Sequence, residues 1–306
     1  MDSRTERRAF SGCHPGVLLL YFLLMLGGTV CLMHPVCLAV SLGSAVGCCL
    51  LLRGRRGTGE SLRWIVPAAV LAAGLNPLLV HRGDTVLAKL PWGSPLTLES
   101  LGYGLAGGAM LGAVLLWAVC WNQALPPEKV VYLVARPAPA LALVLSMTLS
   151  FVPRLRRQLA ETARAQAALP GGPGSRNLRA RLRRGTALLS GLTTWSLEQS
   201  LETGDAMRSR GYGLPGRTSY AYHPMTRRDK GLLLWLLAAG GGVLWAWAGG
   251  GLTAAYYPRL TMAWGSATAA AVLCCLALGL LPLALEGWEE LQWNRSITNK
   301  NGEEKG

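Results

Sequence analysis

Long stretches without a charged side chain alternate with short charged segments along this chain. A helix needs about 20 apolar residues to cross a bilayer, within a range of about 17–25. The segments 101–121, 231–250 and 260–285 meet that length, and 17–52 has the pattern of a helical hairpin that turns at His34-Pro35. The apolar segments are 17–33, 36–52, 64–80, 101–121, 138–152, 231–250 and 260–285. This pattern predicts an all-α polytopic membrane protein with about six transmembrane helices.

The composition agrees with a membrane protein. Apolar residues make up 51% of the 306 residues, charged residues only 15%, and the mean hydropathy is +0.31. A soluble protein usually carries about 25% charged residues. The composition therefore excludes a disordered chain, a collagen-like chain and an ordinary soluble enzyme.

Most of the positive charge lies in one block. Residues 153–230 hold 15 basic and five acidic residues, so +10 of the formal net charge of +14 falls in 78 residues. The positive-inside rule places such a block on the cytoplasmic side, and orientation alone is the simplest reason for its charge. The density of basic residues exceeds what orientation in the membrane needs. The alternative explanation is that the block has a function of its own.

The number of crossings before the basic block stays open. Five apolar segments precede the block, which would put it on the opposite side from the N-terminus, yet both are rich in arginine. Either one of these segments does not cross, or the N-terminus is outside. Arg4, Arg7 and Arg8 before the first apolar run resemble a signal peptide, but no A-x-A-like site closes that run, so we expect an uncleaved first helix.

The basic block is predicted to form two amphipathic helices on the cytoplasmic side. The first is expected at 153–169, continuous with 138–152, and the second at 176–210, where leucines recur at the helical period. The Pro- and Gly-rich segment 170–175 separates them. Four arginines crowd the first turns of the second helix, where the helix dipole disfavours positive charge. We expect a negative surface, either lipid or a protein partner, to offset that charge.

Residues suited to catalysis, metal binding or nucleotide binding are scarce. Residues 102–107 match G-x-G-x-x-G, but they lie in an apolar segment and not in a βαβ unit. Gly104, Gly108 and Gly112 instead form a G-x-x-x-G repeat, which lets membrane helices approach closely. The chain has no Walker A motif, its four histidines are scattered, and its eight cysteines have no zinc-ligand spacing. We therefore expect a chain that has no catalytic activity, metal or cofactor of its own and does not bind nucleic acid.

The most specific stretch is Ala206-Met207-Arg208-Ser209-Arg210-Gly211-Tyr212. It resembles the C-terminal coupling motif of the T component of energy-coupling-factor transporters, the EcfT/CbiQ family. Residues 76–78, 146–153, 165–167 and 195–198 are similar as well. The resemblance covers most of residues 70–230.

The resemblance implies a coupling subunit with three membrane-complex partners and a defined contact motif. The partners would be two ABC-type ATPases, which bind the ATP, and a substrate-binding S component. Arg210, flanked by Ser209 and Gly211, would enter a groove on one ATPase, and Arg208 is a weaker candidate. This sequence departs from the first coupling motif of the family, because it has Ala167-Ala168-Leu169-Pro170 where an Arg-Gly pair is usual. Arg164, one turn earlier, is the candidate replacement.

These observations predict four regions and one location. The regions are N-terminal transmembrane helices at 1–152, a coupling-helix region at 153–230, C-terminal transmembrane helices at 231–285 and a polar tail at 286–306. The resemblance implies the plasma membrane of a prokaryote and uptake of a vitamin or a transition-metal ion. The alternatives are a scaffold whose basic helices bind anionic membrane lipid, and a membrane-embedded lipid-modifying enzyme, for which no acidic or histidine cluster is present.

Overall fold

The computed structural model describes residues 12–79, 85–89, 95–135, 137–168, 178–215, 225–250, 254–256, 261–262 and 265–303. The helices are α1 Pro15–Cys31, α2 Pro35–Leu79, α3 Leu98–Ala124, α4 Pro127–Ala135, α5 Pro139–Ala168, α6 Leu178–Ser209, α7 Arg227–Ala248 and α8 Ser266–Glu303. Two short antiparallel pairs join β1 Val86–Lys89 with β2 Pro95–Thr97, and β3 Ala254–Ala255 with β4 Thr261–Met262. The predicted helical fold is confirmed, and the apolar pattern does not predict the strand pairs.

The chain divides into two compact units. The first, called here the membrane unit, holds residues 1–126 and 223–306, and the second, called the basic unit, holds residues 127–222. The arginines of the N-terminus and the breaker 170–175 lie outside the described residues.

Among the residues that the structure describes, four helices of the membrane unit are long and apolar enough to cross a bilayer. They are α2, α3, α7 and the part Ser266–Gly287 of α8, whereas α1, with 17 residues, is a shorter apolar helix. At 45 residues, α2 is far longer than the upper limit of about 25 residues for one crossing. The chain is therefore a membrane protein with several candidate spans.

α2 consists of two helical arms that meet at a break. Gly54 has φ 72° and ψ 177°, a conformation that glycine adopts without the steric cost of a Cβ. The arms are 35–53 and 55–79. The sequence predicts apolar helices at 36–52 and 64–80 with a charged link between them, and the structure keeps that link helical except at Gly54.

Both arms of α2 pack against α3, in opposite directions. In the first arm, Ser41 accepts a hydrogen bond from Trp117 and Ala45 accepts one from Cys120, so the contacts advance along both helices together. In the second arm the order reverses: Pro77 and Ala73 lie near Gly104, Ala73 and Ala69 near Gly108, and Ala69 near Gly112. The two arms are therefore antiparallel to each other, and α3 packs against both.

The G-x-x-x-G repeat of α3 forms this contact, as the sequence predicts. A Cβ on Gly104 would overlap the carbonyl oxygen of Ala73. A Cβ on Gly108 would lie 2.6 Å from the carbonyl oxygen of Ala69 and 2.8 Å from the Cβ of Ala73. Only glycine permits the second arm to approach this closely.

A small polar and aromatic core joins α1, α2 and α3. The indole of Trp117 donates a 3.1 Å hydrogen bond to Ser41 Oγ, which also shares a 2.7 Å hydrogen bond with Thr29 Oγ1. The rings of Tyr21 and Phe22 contact the ring of Trp117 edge to face, at centroid distances of 5.9 and 6.2 Å. These bonds satisfy buried hydroxyl and indole groups that would be costly in a lipid environment.

α1 and α7 begin side by side. Thr226 and Asp229 form a capping box at the start of α7, and the carboxylate of Asp229 also accepts a hydrogen bond from the backbone N–H of His14. Tyr256, which follows α7, donates a 2.7 Å hydrogen bond to the carbonyl of Met33, which follows α1. The two helices are therefore parallel neighbours.

His34 predicts a pH dependence of stability. It lies between α1 and α2, where it is fully buried, and burial lowers its pKa. The unfolded state then binds more protons than the folded state below about pH 6.5, so stability falls as the pH falls through that value. We expect a lower melting temperature at about pH 5 than at about pH 8. His34→Gln should reduce that difference, and an unchanged difference in the variant would assign the effect to other groups.

The basic unit contains α4, α5 and α6. α5 continues through Pro153 without a break, which agrees with the predicted continuity of 138–152 and the following helix. The rings of Phe151 on α5 and Trp195 on α6 stack at a centroid distance of 5.9 Å and an interplanar angle of 19°. This pair fixes the point at which the two long helices meet.

Candidate functional site

The end of α6 is a defined helix stop. The N–H of Tyr212 donates a 3.0 Å hydrogen bond to the carbonyl of Met207, and the N–H of Gly211 donates one of 3.0 Å to the carbonyl of Arg208. Gly211 has a φ of +79°. These two bonds and the left-handed glycine make a Schellman motif, in which Arg210 is the last residue before the glycine. The stop therefore gives the backbone of Arg210 a fixed position.

Arg210 is exposed at this helix end. The hydroxyl of the neighbouring Ser209 bonds back to the carbonyl of Ala206, at 2.9 Å, so it does not engage the guanidinium. Positive charge at a helix C-terminus is favoured by the helix dipole. A guanidinium presents five N–H donors in a planar fork, so Arg210 is suited to bind a carboxylate through two parallel hydrogen bonds.

A shallow depression of about 430 Å³ adjoins Arg210. Its lining includes the side chains of Met207, Tyr212, Leu214 and Pro215. Tyr212 is 50% exposed and Leu214 70% exposed, so apolar surface flanks the charged group. The predicted end of the second amphipathic helix at residue 210 does not indicate this apolar surface. The signal in the sequence is the presence of large apolar residues inside a glycine-rich turn.

The two weaker candidates occupy different places. Arg208 is exposed on α6, two residues before Arg210, and residues two apart on a helix do not face each other. Arg164 is exposed near the end of α5, about 20 Å along that helix from Phe151, at a rise of about 1.5 Å per residue. Leu169 and Pro170, part of the departing first motif, lie outside the described residues.

Gly211→Ala is expected to loosen the helix stop. The left-handed conformation costs a residue with a Cβ about 1–2 kcal/mol, and the new Cβ would lie 3.0 Å from Leu214 Cδ1. We expect faster hydrogen exchange at the amides of residues 211 and 212. Gly204→Ala is the matched control, because Gly204 is inside α6 with open space around it. Equal exchange rates in both variants would contradict the assigned role of the glycine.

The helices of the basic unit bury little within this chain. Among the side chains that the structure describes there, α4 and α6 have none that is buried, and α5 has Ala142. Along α6, leucines that are more than 60% exposed recur at spacings of seven, eight and four residues, which places them on one side of the helix. They are Leu182, Leu189, Leu197 and Leu201. An exposed apolar stripe of this kind is typical of an interaction surface.

The comparison with known proteins gives one informative similarity. No protein-family model matches the chain. The chain is 36% identical, over 121 residues, to the energy-coupling factor transporter transmembrane protein EcfT of Exiguobacterium sibiricum. The match covers 38% of this chain and 43% of the relative. It supports the resemblance drawn from the motifs, over part of the chain. The protein is thus a helical membrane protein that is similar, over about two fifths of its length, to a transmembrane protein of an energy-coupling factor transporter.

Proposed function

We propose that this chain is the transmembrane coupling subunit of an energy-coupling-factor type ABC transporter. Two partner ATPases bind and hydrolyse ATP, and α5 and α6 transmit their motion to the membrane unit. A substrate-binding S component delivers the cargo, a vitamin or a transition-metal ion. The chain itself is not catalytic, and ATP is bound by the partners.

The exposed guanidinium of Arg210 at a fixed helix end carries this proposal. The side chain of Arg210 is exposed, so a partner can reach its guanidinium. The apolar stripe of α6 and the flanking Tyr212 and Leu214 add exposed surface that a protein partner would cover. The partial similarity to an EcfT protein supports the same proposal.

We further propose six crossings with both termini on the cytoplasmic side. The crossings are α1, the two arms of α2, α3, α7 and α8. Four of these crossings precede residue 127, so the chain is then on the side of the membrane on which it began. In this topology α5 does not cross the membrane. The break in α2, which carries Arg53, Arg55 and Arg56, then lies on the cytoplasmic side, in agreement with the positive-inside rule.

Copurification tests the proposed assembly. Tagged protein is expressed in its native host and purified in mild detergent, as wild type, as Arg210→Glu and as Arg157→Glu. Arg157 is an exposed residue of α5, so its substitution changes the charge equally. We expect two ABC ATPases and a small membrane protein with the wild type and the control, and loss of an ATPase with Arg210→Glu. Absence of any ATPase with the wild type would reject the transporter proposal and favour a lipid-binding scaffold.

A further inference from the structure

An apolar groove runs along the outside of the membrane unit, between the two arms of α2 and α3. Its volume is about 280 Å³. Small residues line the groove where α3 approaches the second arm, and the exposed lining residues Val66, Val70 and Leu105 form its rim. The groove is lined by Leu42, Val46, Leu62, Ile65, Val66, Ala69, Val70, Ala73, Leu105, Gly108, Ala109, Gly112 and Leu116.

The dimensions of the groove match one lipid acyl chain. Its lining on the second arm runs from Leu62 to Ala73, which is about 16 Å at a rise of about 1.5 Å per residue. One leaflet is half of a hydrocarbon core that is about 30 Å thick. A helix is about 10–12 Å wide with its side chains, so it could lie over this groove but could not enter it.

A guanidinium lies beyond one end of the groove. Arg53 follows Leu42 by 11 residues, about three helical turns, so it shares the face of the first arm that lines the groove. Its Nη1 donates a 2.7 Å hydrogen bond to Ser61 Oγ, which holds the guanidinium next to the start of the groove at Leu62. Arg53 is exposed, and its other N–H groups can reach a ligand.

The surroundings of Arg53 have the character of a membrane interface. Arg55, Arg56 and Arg63 are exposed, against one exposed acidic residue, Glu60. Trp64, which follows Arg63 directly in the chain, is 81% exposed, and tryptophan is enriched at the level of lipid headgroups. Positive charge is therefore placed where the phosphate of a lipid would lie if its chain occupied the groove.

We propose that this groove and Arg53 form a binding site for an anionic phospholipid. One acyl chain occupies the groove, and the phosphate accepts hydrogen bonds from the guanidinium of Arg53, with Arg63 adding charge. The lipid fills the cleft between the arms of α2 and α3 and so supports the hairpin that the break at Gly54 creates. The site does not depend on the proposed coupling function, because every residue in it belongs to the membrane unit.

Lipid titration followed by native mass spectrometry tests the headgroup. Delipidated full-length protein is titrated with phosphatidylglycerol or with phosphatidylcholine of the same acyl chains. We expect phosphatidylglycerol to bind more tightly, and Arg53→Gln and Arg63→Gln each to weaken it by about fivefold, the effect of one basic residue near a membrane surface. Arg53→Lys should bind phosphatidylglycerol more tightly than Arg53→Gln and less tightly than the wild type. Arg157→Gln should leave the affinity for phosphatidylglycerol unchanged. Equal binding of the two lipids, or no loss in Arg53→Gln, would overturn the proposal.

A matched pair of substitutions tests the groove. Val70 is on the rim and 64% exposed, whereas Leu71 is 65% exposed and does not line the groove. Val70→Trp is expected to weaken phosphatidylglycerol binding by about fivefold or more, the loss expected when one or more acyl methylenes are no longer buried, and Leu71→Trp to leave it unchanged. Melting temperatures of both variants show whether they fold. Equal lipid binding in the two variants would reject the groove as a lipid site. If Val70→Trp alone lost a copurifying membrane subunit while its lipid binding was unchanged, the groove would be a protein interface instead.

Discussion

Arg210→Lys is expected to weaken association with a partner ATPase by about tenfold to a hundredfold, although it keeps the positive charge. A lysine ammonium cannot reproduce the planar fork of a guanidinium, so one of two parallel hydrogen bonds to a carboxylate is lost. A hydrogen bond to a charged group contributes about 1.5–3 kcal/mol, and every 1.4 kcal/mol is about tenfold in affinity. The measurement is the dissociation constant of the purified ATPase pair for this chain in detergent or nanodiscs.

Arg208→Lys is the control for this prediction. It makes the same chemical change two residues earlier on a different face of α6, and we expect no more than about a twofold effect, since exposed charge pairs contribute little. A lipid-binding scaffold would tolerate lysine at both positions, because anionic lipid responds to charge near the surface. Equal affinities for wild type and Arg210→Lys would therefore contradict docking of this arginine in a protein groove.

Gly108→Ala is expected to destabilise the membrane unit. The added Cβ would lie 2.6 Å from a backbone carbonyl oxygen of Ala69, and backbone moves less easily than a flexible side chain. Overpacking of this kind costs about 1–3 kcal/mol, and Gly108→Leu should exceed that range and prevent recovery of a monodisperse protein. The measurement is the apparent melting temperature by fluorescence-detected size-exclusion chromatography.

Gly107→Ala is the matched control. Gly107 lies one position earlier on α3, and a Cβ there would meet nothing within 4 Å. Alanine is favoured over glycine in a helix by about 1 kcal/mol, so the control should be neutral or more stable. If both substitutions lowered the melting temperature equally, the result would contradict a requirement for glycine at position 108 in the close contact between α2 and α3.

The described structure also bears on the crossing number that the sequence leaves open. Counted from apolar runs alone, 138–152 is a fifth segment before the basic block. In the structure it is the first half of α5, one continuous helix of the basic unit. A short apolar run and the start of a long amphipathic helix look alike in sequence, because both lack charge for about 15 residues.

The sequence by itself determined that this is a helical membrane protein, which glycines of α3 form a close helix contact, and where α6 ends. Each of these follows from a local signal: a run without charge, a four-residue glycine spacing, or a glycine after the last helical turn. The sequence also carried the motif whose resemblance the EcfT similarity supports in part.

The tertiary structure decided what depends on residues far apart in the chain. The break at Gly54 folds α2 into two antiparallel arms, because the second arm can reach the glycines of α3 only by reversing direction. The groove follows from that packing, since residues of three helical segments enclose a volume that no one of them defines. Arg53 faces the groove through a hydrogen bond to Ser61, eight residues away across the break. Periodicity describes one helix at a time, whereas a cleft and its charge arise only where helices meet.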